Sequence, residues 1–519
     1  MLYLTLFLRY SAADPDEGII LQGAQRILQG QVPYRDFFSF YTPLSYYWFA
    51  LLLRLFGNRI EVARASLAFF GAVFALFTYV VSRRVCSYRT ALLTGTVVGV
   101  VTMPYRFLVL HNWDSTFWAC LAIYAGLRLV ESQNTRWAFL AGSLVAITGL
   151  SEQSKGVGLF LGLVAGYLLV AWLAPKGAAV VQDGLAFAAG GAWPTLVVLA
   201  YFARQGAVTA MLQGWFWPTR HYSAANHVLY GSQNWSDKTR ALLFSSGTML
   251  SRAIKLAAVT PCFLVPVLPI LAGVLLVYWT WRGYVRDAEP RRMSYYLFLT
   301  SVILGMLVSV VMVRPDIVHF MYLLPLFAVV LAWFVDGRDI PGTLYPSIRP
   351  VFATVVIGGF ALMSLGWPLV ALKAATQEQV TRRGSITSLQ EDEVVSFIQS
   401  HALPGERILV YPYLPLYYYL TGTRSPGAYE YLQPGMSTSE QVEGMLRDLK
   451  AHPVRVVLLE PSFADKIPTS WPGTPVANIW RDPVSDYVLR HYHLCRILRS
   501  ASTASFFYMA RQGESCPTD

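Results

Sequence analysis

Ala12-Ala13-Asp14-Pro15-Asp16-Glu17-Gly18 is the stretch on which the reading of this chain turns. Its carboxylates follow the short apolar run 2–8 and precede a long series of apolar segments. Ionisable groups beside membrane-spanning helices are costly to hold and mark functional surfaces, so the stretch places polar chemistry at a bilayer face. Locally it is also a helix start. Asp14 suits an N-cap, Pro15 the first helical position, and Glu17 the third, from which a carboxylate reaches back to the cap's N–H. Ile20, Ala24, Ile27 and Leu28 continue at helical spacing up to Gly30, which predicts an amphipathic helix lying along the membrane surface. Capping explains Asp14 fully. Asp16 is not needed for the cap, and Glu17 suits either role.

Composition sets the class. Of 519 residues, 55% are hydrophobic and 14% charged, and the mean hydropathy is +0.43, values outside the range of soluble domains. A hydrocarbon core about 30 Å thick needs roughly 20 apolar residues per helix, which predicts about eleven transmembrane helices, the first of them incomplete. The full spans fall near 64–82, 90–108, 115–130, 137–150, 157–174, 183–202, 257–281, 294–313, 320–335 and 351–371. Residues 2–8 are too few to cross. They lack the basic head, apolar core and cleavage site of a secretory signal, so no cleavable leader is expected.

Short loops orient the bundle. Arg83, Arg84, Arg89, Lys176, Arg282, Arg286, Arg291 and Arg292 mark the cytoplasmic side. Loops 14–64, 104–114, 151–155, 204–255 and 314–319, and everything after Lys373, then lie outside the cytoplasm, at a cell membrane crossed many times. The net charge of +11 is accounted for by topology and headgroup contact. No basic patch sits on a soluble segment, so no nucleic-acid partner is expected.

The chain changes character after about residue 375. EDEVVSFIQSHAL and SEQVEGMLRDLKA have helical patterns, RILVYP, VRVVLLE and SFFYMA those of strands. The expected organisation is an all-α polytopic membrane domain over residues 1–372, with interfacial helices in its first outer loop, and a small extracytoplasmic α/β domain over 373–519. No GxGxxG follows either strand, which argues against a nucleotide site. Cys86, Cys120 and Cys262 belong with the spans, whereas Cys495 and Cys516 share the outer region, where a disulfide is permitted.

After the first helix comes QVPYRDFFSFYTPLSYYWFALLLRLFG, dense in interfacial aromatics and broken by Pro33 and Pro43. Its 43–56 segment is too short to span and suits an interfacial helix. Arg35 and Asp36 are placed to pair. The order of short first segment, Asp16-Glu17, helix, Gly30, Pro33-Tyr34-Arg35-Asp36-Phe37, Thr42-Pro43, aromatic helix and Leu55-Phe56-Gly57 resembles the GT-C-type membrane glycosyltransferases. It is most similar to the branch of protein O-mannosyltransferases and lipid A aminoarabinose transferases. Asp114 in HNWDSTFWA and Lys155-Gly156 in SEQSKG continue the resemblance, the latter with Ser154 where that family has Thr. The similarity covers the membrane portion to about residue 371.

The resemblance implies a GT-C-like fold and transfer of a hexosyl or pentosyl group from a polyprenyl-phosphate donor to an acceptor hydroxyl of a lipid, glycan or protein, with inversion. It also implies Asp16 and Glu17 as catalytic acids and Asp114 as a second acid at the site. The chemistry needs a base for the acceptor proton and cations for the departing phosphate. Asp16 is the candidate base. Lys155 is the candidate phosphate partner, with pairing to Glu152 as its structural alternative, and Arg35, Arg314 and His319 are further substrate-binding candidates. Asp14-Pro15-Asp16 has an Asp-x-Asp form able to hold magnesium or manganese, and His111, His221 and His319 fall in outer loops. Each histidine alone also fits an ordinary hydrogen-bonded role. The loop 204–255 carries Trp215, Phe216, Trp217, Tyr222 and Trp235 with Arg220, Lys238 and Arg240, suited to a sugar phosphate or to interfacial anchoring. Asn234-Trp235-Ser236 has the form of a glycosylation acceptor. Competing readings are a transporter or flippase, which would put acids at mid-membrane, and a noncatalytic subunit of envelope polysaccharide assembly.

Overall fold

The structure, a computed structural model, describes all residues except 174–178, 233–236, 286–288, 338–344, 434–435, 472–473, 475–481, 503 and 518–519. Lys176, Arg286 and the Asn234–Ser236 triplet lie outside the described residues.

A one-turn α1 (Leu2–Thr5) is followed by α2 (Pro15–Leu28) and α3 (Leu44–Phe56). The bundle then runs through α4 (Ile60–Ser82), α5 (Tyr88–Tyr105), α6 (His111–Ser132), α7 (Thr135–Ser151), α8 (Gln153–Leu173) and α9 (Ala179–Arg204). Three shorter helices form the long loop: α10 (Val208–Arg220), α11 (Tyr222–Asn226) and α12 (Asp237–Phe244). The bundle closes with α13 (Met249–Tyr284), α14 (Pro290–Val313), α15 (Ile317–Tyr322), α16 (Leu324–Asp336) and α17 (Tyr345–Ala374).

Each stretch read as a span is helical over most of its length, with 106–108 past the end of α5 and a break at Leu323 between α15 and α16. Among the described residues, α4, α8, α9, α13, α14 and α17 are long and apolar enough to cross a membrane, and the protein is a multi-pass membrane protein. The others are shorter or more polar because their neighbours enclose them. α6 buries Asn112, Asp114, Ser115 and Thr116, and α16 has 13 residues, about 20 Å of helix. With no hydrophobic drive between helices in lipid, close backbone approach holds such a bundle. Gly158 and Gly162 on α8 supply it against α14, where a Cβ on Gly158 would stand 2.4 Å from the carbonyl oxygen of Gly305.

Past Ala374 come a hairpin of β1 (Gln377–Thr381) and β2 (Gly384–Ser388), α18 (Glu393–His401), β3 (Leu409–Tyr411), α19 (Leu416–Thr421) and α20 (Ser439–Ala451). β4 (Val457–Leu459), α21 (Phe463–Ser470), α22 (Pro483–His491), β5 (Tyr492–Arg499) and β6 (Ser505–Arg511) complete the chain. The sheet order is β3-β4-β6-β5, with β3 parallel to β4 and the other pairs antiparallel. Sequence patterning located α18, β3, α20, β4 and β6 but not the β1–β2 hairpin, α19, α21, α22 or β5. Cys495 and Cys516 are joined in a disulfide. Among the described residues this takes both sulfurs of the one group of three metal-ligating side chains found, which His493 completes.

The β1–β2 hairpin is one of the places where this region is tied to the membrane helices. Thr387 of β2 pairs with the N-terminal segment, donating to the Arg9 carbonyl at 2.7 Å and accepting from Ser11 N–H at 2.8 Å. The hairpin also grips the start of α4, where Ser385 N–H donates to Glu61 at 2.9 Å. The segment leading into Asp14 is thereby held by the hairpin.

Candidate active site

The start of α2 forms as its sequence predicts. Asp14 Oδ1 accepts the backbone N–H of Asp16 at 2.9 Å, with Pro15 at the first position. Gly30 follows the helix at φ +86°, a conformation glycine adopts without strain. The expected capping reach of Glu17 is corrected, because its carboxylate goes to Arg64 on α4, at 2.9 and 2.6 Å in a two-pronged pair. The N–H of Val109 donates to the same carboxylate at 3.1 Å, and Arg64 also donates to the carbonyls of Leu8 and Tyr10. Both side chains are fully buried. Glu17 therefore anchors α2, with both carboxylate oxygens taken by Arg64 and one also by Val109.

The α2 helix is also more enclosed by protein than its amphipathic pattern implies. Most of the helix is buried, wedged between α3 and α19. A Cβ on Gly18 would lie 2.1 Å from the backbone nitrogen of Leu416, and one on Gly23 would strike the Tyr46 ring at 2.4 Å. A helix with small residues on two faces is built to be clasped by protein rather than to float on lipid.

Asp16 stands differently. Arg106, at the end of α5, sends Nη2 to Asp16 Oδ2 at 2.7 Å and to Asp14 Oδ2 at 3.1 Å. Asp16 Oδ1 has no partner among the described residues, and 37% of the side chain is exposed. Burial, then the Asp14 carboxylate, raises its pKa above the ordinary value, while Arg106 and His319 pull it back. Its charge in turn adds to burial in pushing up the phenols of Tyr41, Tyr222 and Tyr413. These tyrosines come from the first loop, the long loop and the C-terminal region, so Asp16 lies where all three meet.

In this arrangement the Arg106 guanidinium bridges the two carboxylates of the Asp-x-Asp form.

Three further candidates gather nearby. Lys155 is 3% exposed and sits 3.0 Å from Glu152. It also donates to the Asn112 carbonyl, Ser115 and Thr116 at 2.7, 3.0 and 3.1 Å, and lies 5.5 Å from the Tyr322 ring centroid. Its ammonium is thus a fixed charge with its donors committed. Arg314 binds Asp316 at 2.6 Å, Asn226 Oδ1 at 3.1 Å and the Ser470 carbonyl at 2.6 Å. His319 Nδ1 is 2.7 Å from Asp316, whose pKa falls to about 2: burial raises it, but His319, Arg314 and a backbone N–H outweigh that. Held through Nδ1, His319 has Nε2 left for a ligand.

Arg35 is not brought into this group, and Asp114 meets it through the nearby charge of Lys155. Asp114 is fully buried and accepts from Ser45 at 2.7 Å. Arg35 pairs with Asp36 at 2.9 Å and with Gln205. His111 packs on Tyr41, centroids 4.1 Å apart. His221 packs on Trp217 at 5.0 Å, while Trp217 stacks on Phe40 at 5.2 Å and Trp215 donates to Tyr34 at 3.0 Å. These aromatics of the long loop serve to join it to the first loop.

Arg106, Arg64, Asp316 and Tyr413 were missed by sequence reasoning. The signal for the two arginines was present: a cation at the outer end of an apolar helix demands an acidic partner.

With this geometry the fold is recognisable. The chain superposes on ArnT from Cupriavidus metallidurans, bound to undecaprenyl phosphate, with a TM-score of 0.54 at 11% identity, over 99% of this chain and 97% of the other. The oligosaccharyltransferase AglB from Archaeoglobus fulgidus, in complex with an inhibitory peptide and a dolichol-phosphate, aligns with a TM-score of 0.48 at 11% identity, over 99% and 71%. The architecture is that of a GT-C-type polytopic membrane protein. Residues 41–190 match the family model described as dolichyl-phosphate-mannose-protein mannosyltransferase. No curated protein matches the chain by sequence.

Proposed function

We propose that this protein transfers a sugar from a polyprenyl-phosphate carrier to an acceptor hydroxyl, at the extracytoplasmic face of a cell membrane. The observation that carries the reading is the unpartnered Oδ1 of Asp16 in the tyrosine-ringed space where the loops meet the C-terminal region. The acceptor oxygen attacks the anomeric carbon and gives its proton to Oδ1, while the bond from that carbon to the phosphate oxygen breaks. A single displacement of this kind inverts the anomeric centre. Arg106 holds Asp16 in place, and His319 and Arg314 favour the phosphate as it gains charge. Glu17 and Arg64 position the helix that carries the base.

Support for a lipid-borne donor comes from the fold, the match over 41–190 and the likeness to ArnT bound to undecaprenyl phosphate. Whether the donor is a hexose or a pentose, and whether the acceptor is lipid, glycan or protein, is for the assay to name. The arginines support this sidedness. Arg84 pairs with Glu131 at 2.6 Å, Tyr295 donates to Glu131 at 3.2 Å, and Arg291 donates to Tyr295 at 3.2 Å. α4 and α14 lead from that cluster to the Asp16 end, which under the positive-inside rule supports an Asp16 outside the cytoplasm.

The test is reconstitution of the purified protein with radiolabelled polyprenyl-phosphate sugars and an envelope lipid or glycan extract. Label should move to an acceptor with these donors and not with nucleotide sugars alone. Robust transfer from nucleotide sugars without lipid-linked sugar overturns the reading.

A further inference from the structure

Away from Asp16, a cavity of about 310 Å³ opens between α2 and the loop that follows α19. One wall is the α2 face bearing Gln22, Arg26 and Gln29, and the other includes Gly427, Ala428 and Glu430. Arg26 lies ten residues beyond Asp16, about 15 Å along the helix.

The charges of its walls are mostly spent on each other. Arg26 pairs with Glu430 at 3.1 Å and donates to Gln31, to the Gly427 carbonyl and to the Asp36 carbonyl. Asp36 is held by Arg35 and by the Val32 N–H, and Asp448 accepts from the Ala428 N–H at 3.1 Å. Two kinds of group are left over. The exposed side chains of Arg407 and Arg424 line the cavity and make no hydrogen bond or ion pair among the described residues. Gln22, 1% exposed, donates to Glu430 at 3.0 Å, yet its Oε1 is buried without a partner.

Unpaired guanidiniums take a carboxylate or phosphate in forked hydrogen bonds. A buried, unsatisfied amide oxygen takes a hydroxyl or N–H donor, and leaving it unmade is costly. We propose that this cavity binds an anionic saccharide, its carboxylate or phosphate on Arg407 and Arg424 and a hydroxyl on Gln22 Oε1. This is a second site, separate from the transfer centre.

Calorimetric titration of the full-length protein in lipid nanodiscs tests it, with glucuronic acid and glucose 6-phosphate as the carboxylate and phosphate probes and glucose and inorganic phosphate as controls. At least one anionic sugar should bind more tightly than either control. Arg407→Gln and Arg424→Gln should each weaken it by roughly tenfold, the loss of one charge-assisted hydrogen bond. Asp16→Asn should bind like the wild type. No binding of either anionic sugar overturns the proposal, as does binding unchanged by both arginine substitutions. Inorganic phosphate binding as well as glucose 6-phosphate reduces the cavity to a simple anion site, and loss of binding in Asp16→Asn moves the probe to the transfer centre; either result refutes the assignment. The titration uses neither donor nor turnover, so its failure and that of the transfer reading are distinguishable.

Discussion

Arg106 Nη2 lies 2.7 Å from Asp16 Oδ2 and 3.1 Å from Asp14 Oδ2, so one guanidinium holds two carboxylates of unequal duty. Asp14 is used on both oxygens, by Arg106 and by the helix cap. Asp16 keeps Oδ1 for the acceptor.

Asp16→Asn should therefore slow turnover by about 10²–10⁴-fold, the usual loss with a general base, while thermal stability stays close to wild type. Asp14→Asn weakens the cap and should cost about 0.5–2 kcal/mol with activity partly retained. Single-turnover rates with a defined polyprenyl-phosphate sugar, beside melting curves, separate the two. Wild-type rates in well-folded Asp16→Asn would make this acid structural and leave the base to another residue.

The pH profile carries a sign. Burial and then Asp14 raise the Asp16 pKa, and Arg106 lowers it. A base must be ionised, so activity should climb with pH through a value raised above that of an ordinary aspartate. Asp14→Asn removes a like charge and should move the acidic limb to lower pH. Arg106→Gln should move it to higher pH. Shifts in the opposite directions in kcat against pH exclude Asp16 as the titrating group.

Glu17 and Arg64 form a fully buried pair, and breaking such a pair costs about 3–5 kcal/mol because a charge is stranded. Glu17→Gln should lower the unfolding temperature, and Glu17→Gln with Arg64→Met should recover part of the loss. A Glu17→Gln protein as stable as wild type but without turnover would give Glu17 a chemical role.

Sidedness is checked by labelling. In a Cys262→Ser background, Glu391→Cys should react with an impermeant thiol reagent in intact cells, and Tyr284→Cys, at the arginine-rich end, only after permeabilisation. The reverse pattern inverts the topology.

Metal dependence follows from the same arginine. With Arg106 between Asp14 and Asp16, EDTA should leave the reconstituted rate unchanged. A rate abolished by EDTA and restored by magnesium or manganese would show that Arg106 gives way to a cation in the working enzyme.

The sequence by itself determined the membrane class, the helical segments, the Asp14 cap and the helix that Asp16 opens, because hydropathy, periodicity and capping act over a few neighbouring residues. It also singled out Asp16, since an acid that the cap does not need calls for another explanation. Only the tertiary structure decided what Glu17 and Lys155 do. Glu17 meets Arg64 across 47 positions of chain, and Lys155 meets Asn112 across 43. The same holds for α2, which its local pattern assigned to the membrane surface and which α3 and α19 enclose. Burial of a charge depends on which partner the fold brings within hydrogen-bond reach, and that is a property of the packed molecule, not of the neighbouring residues.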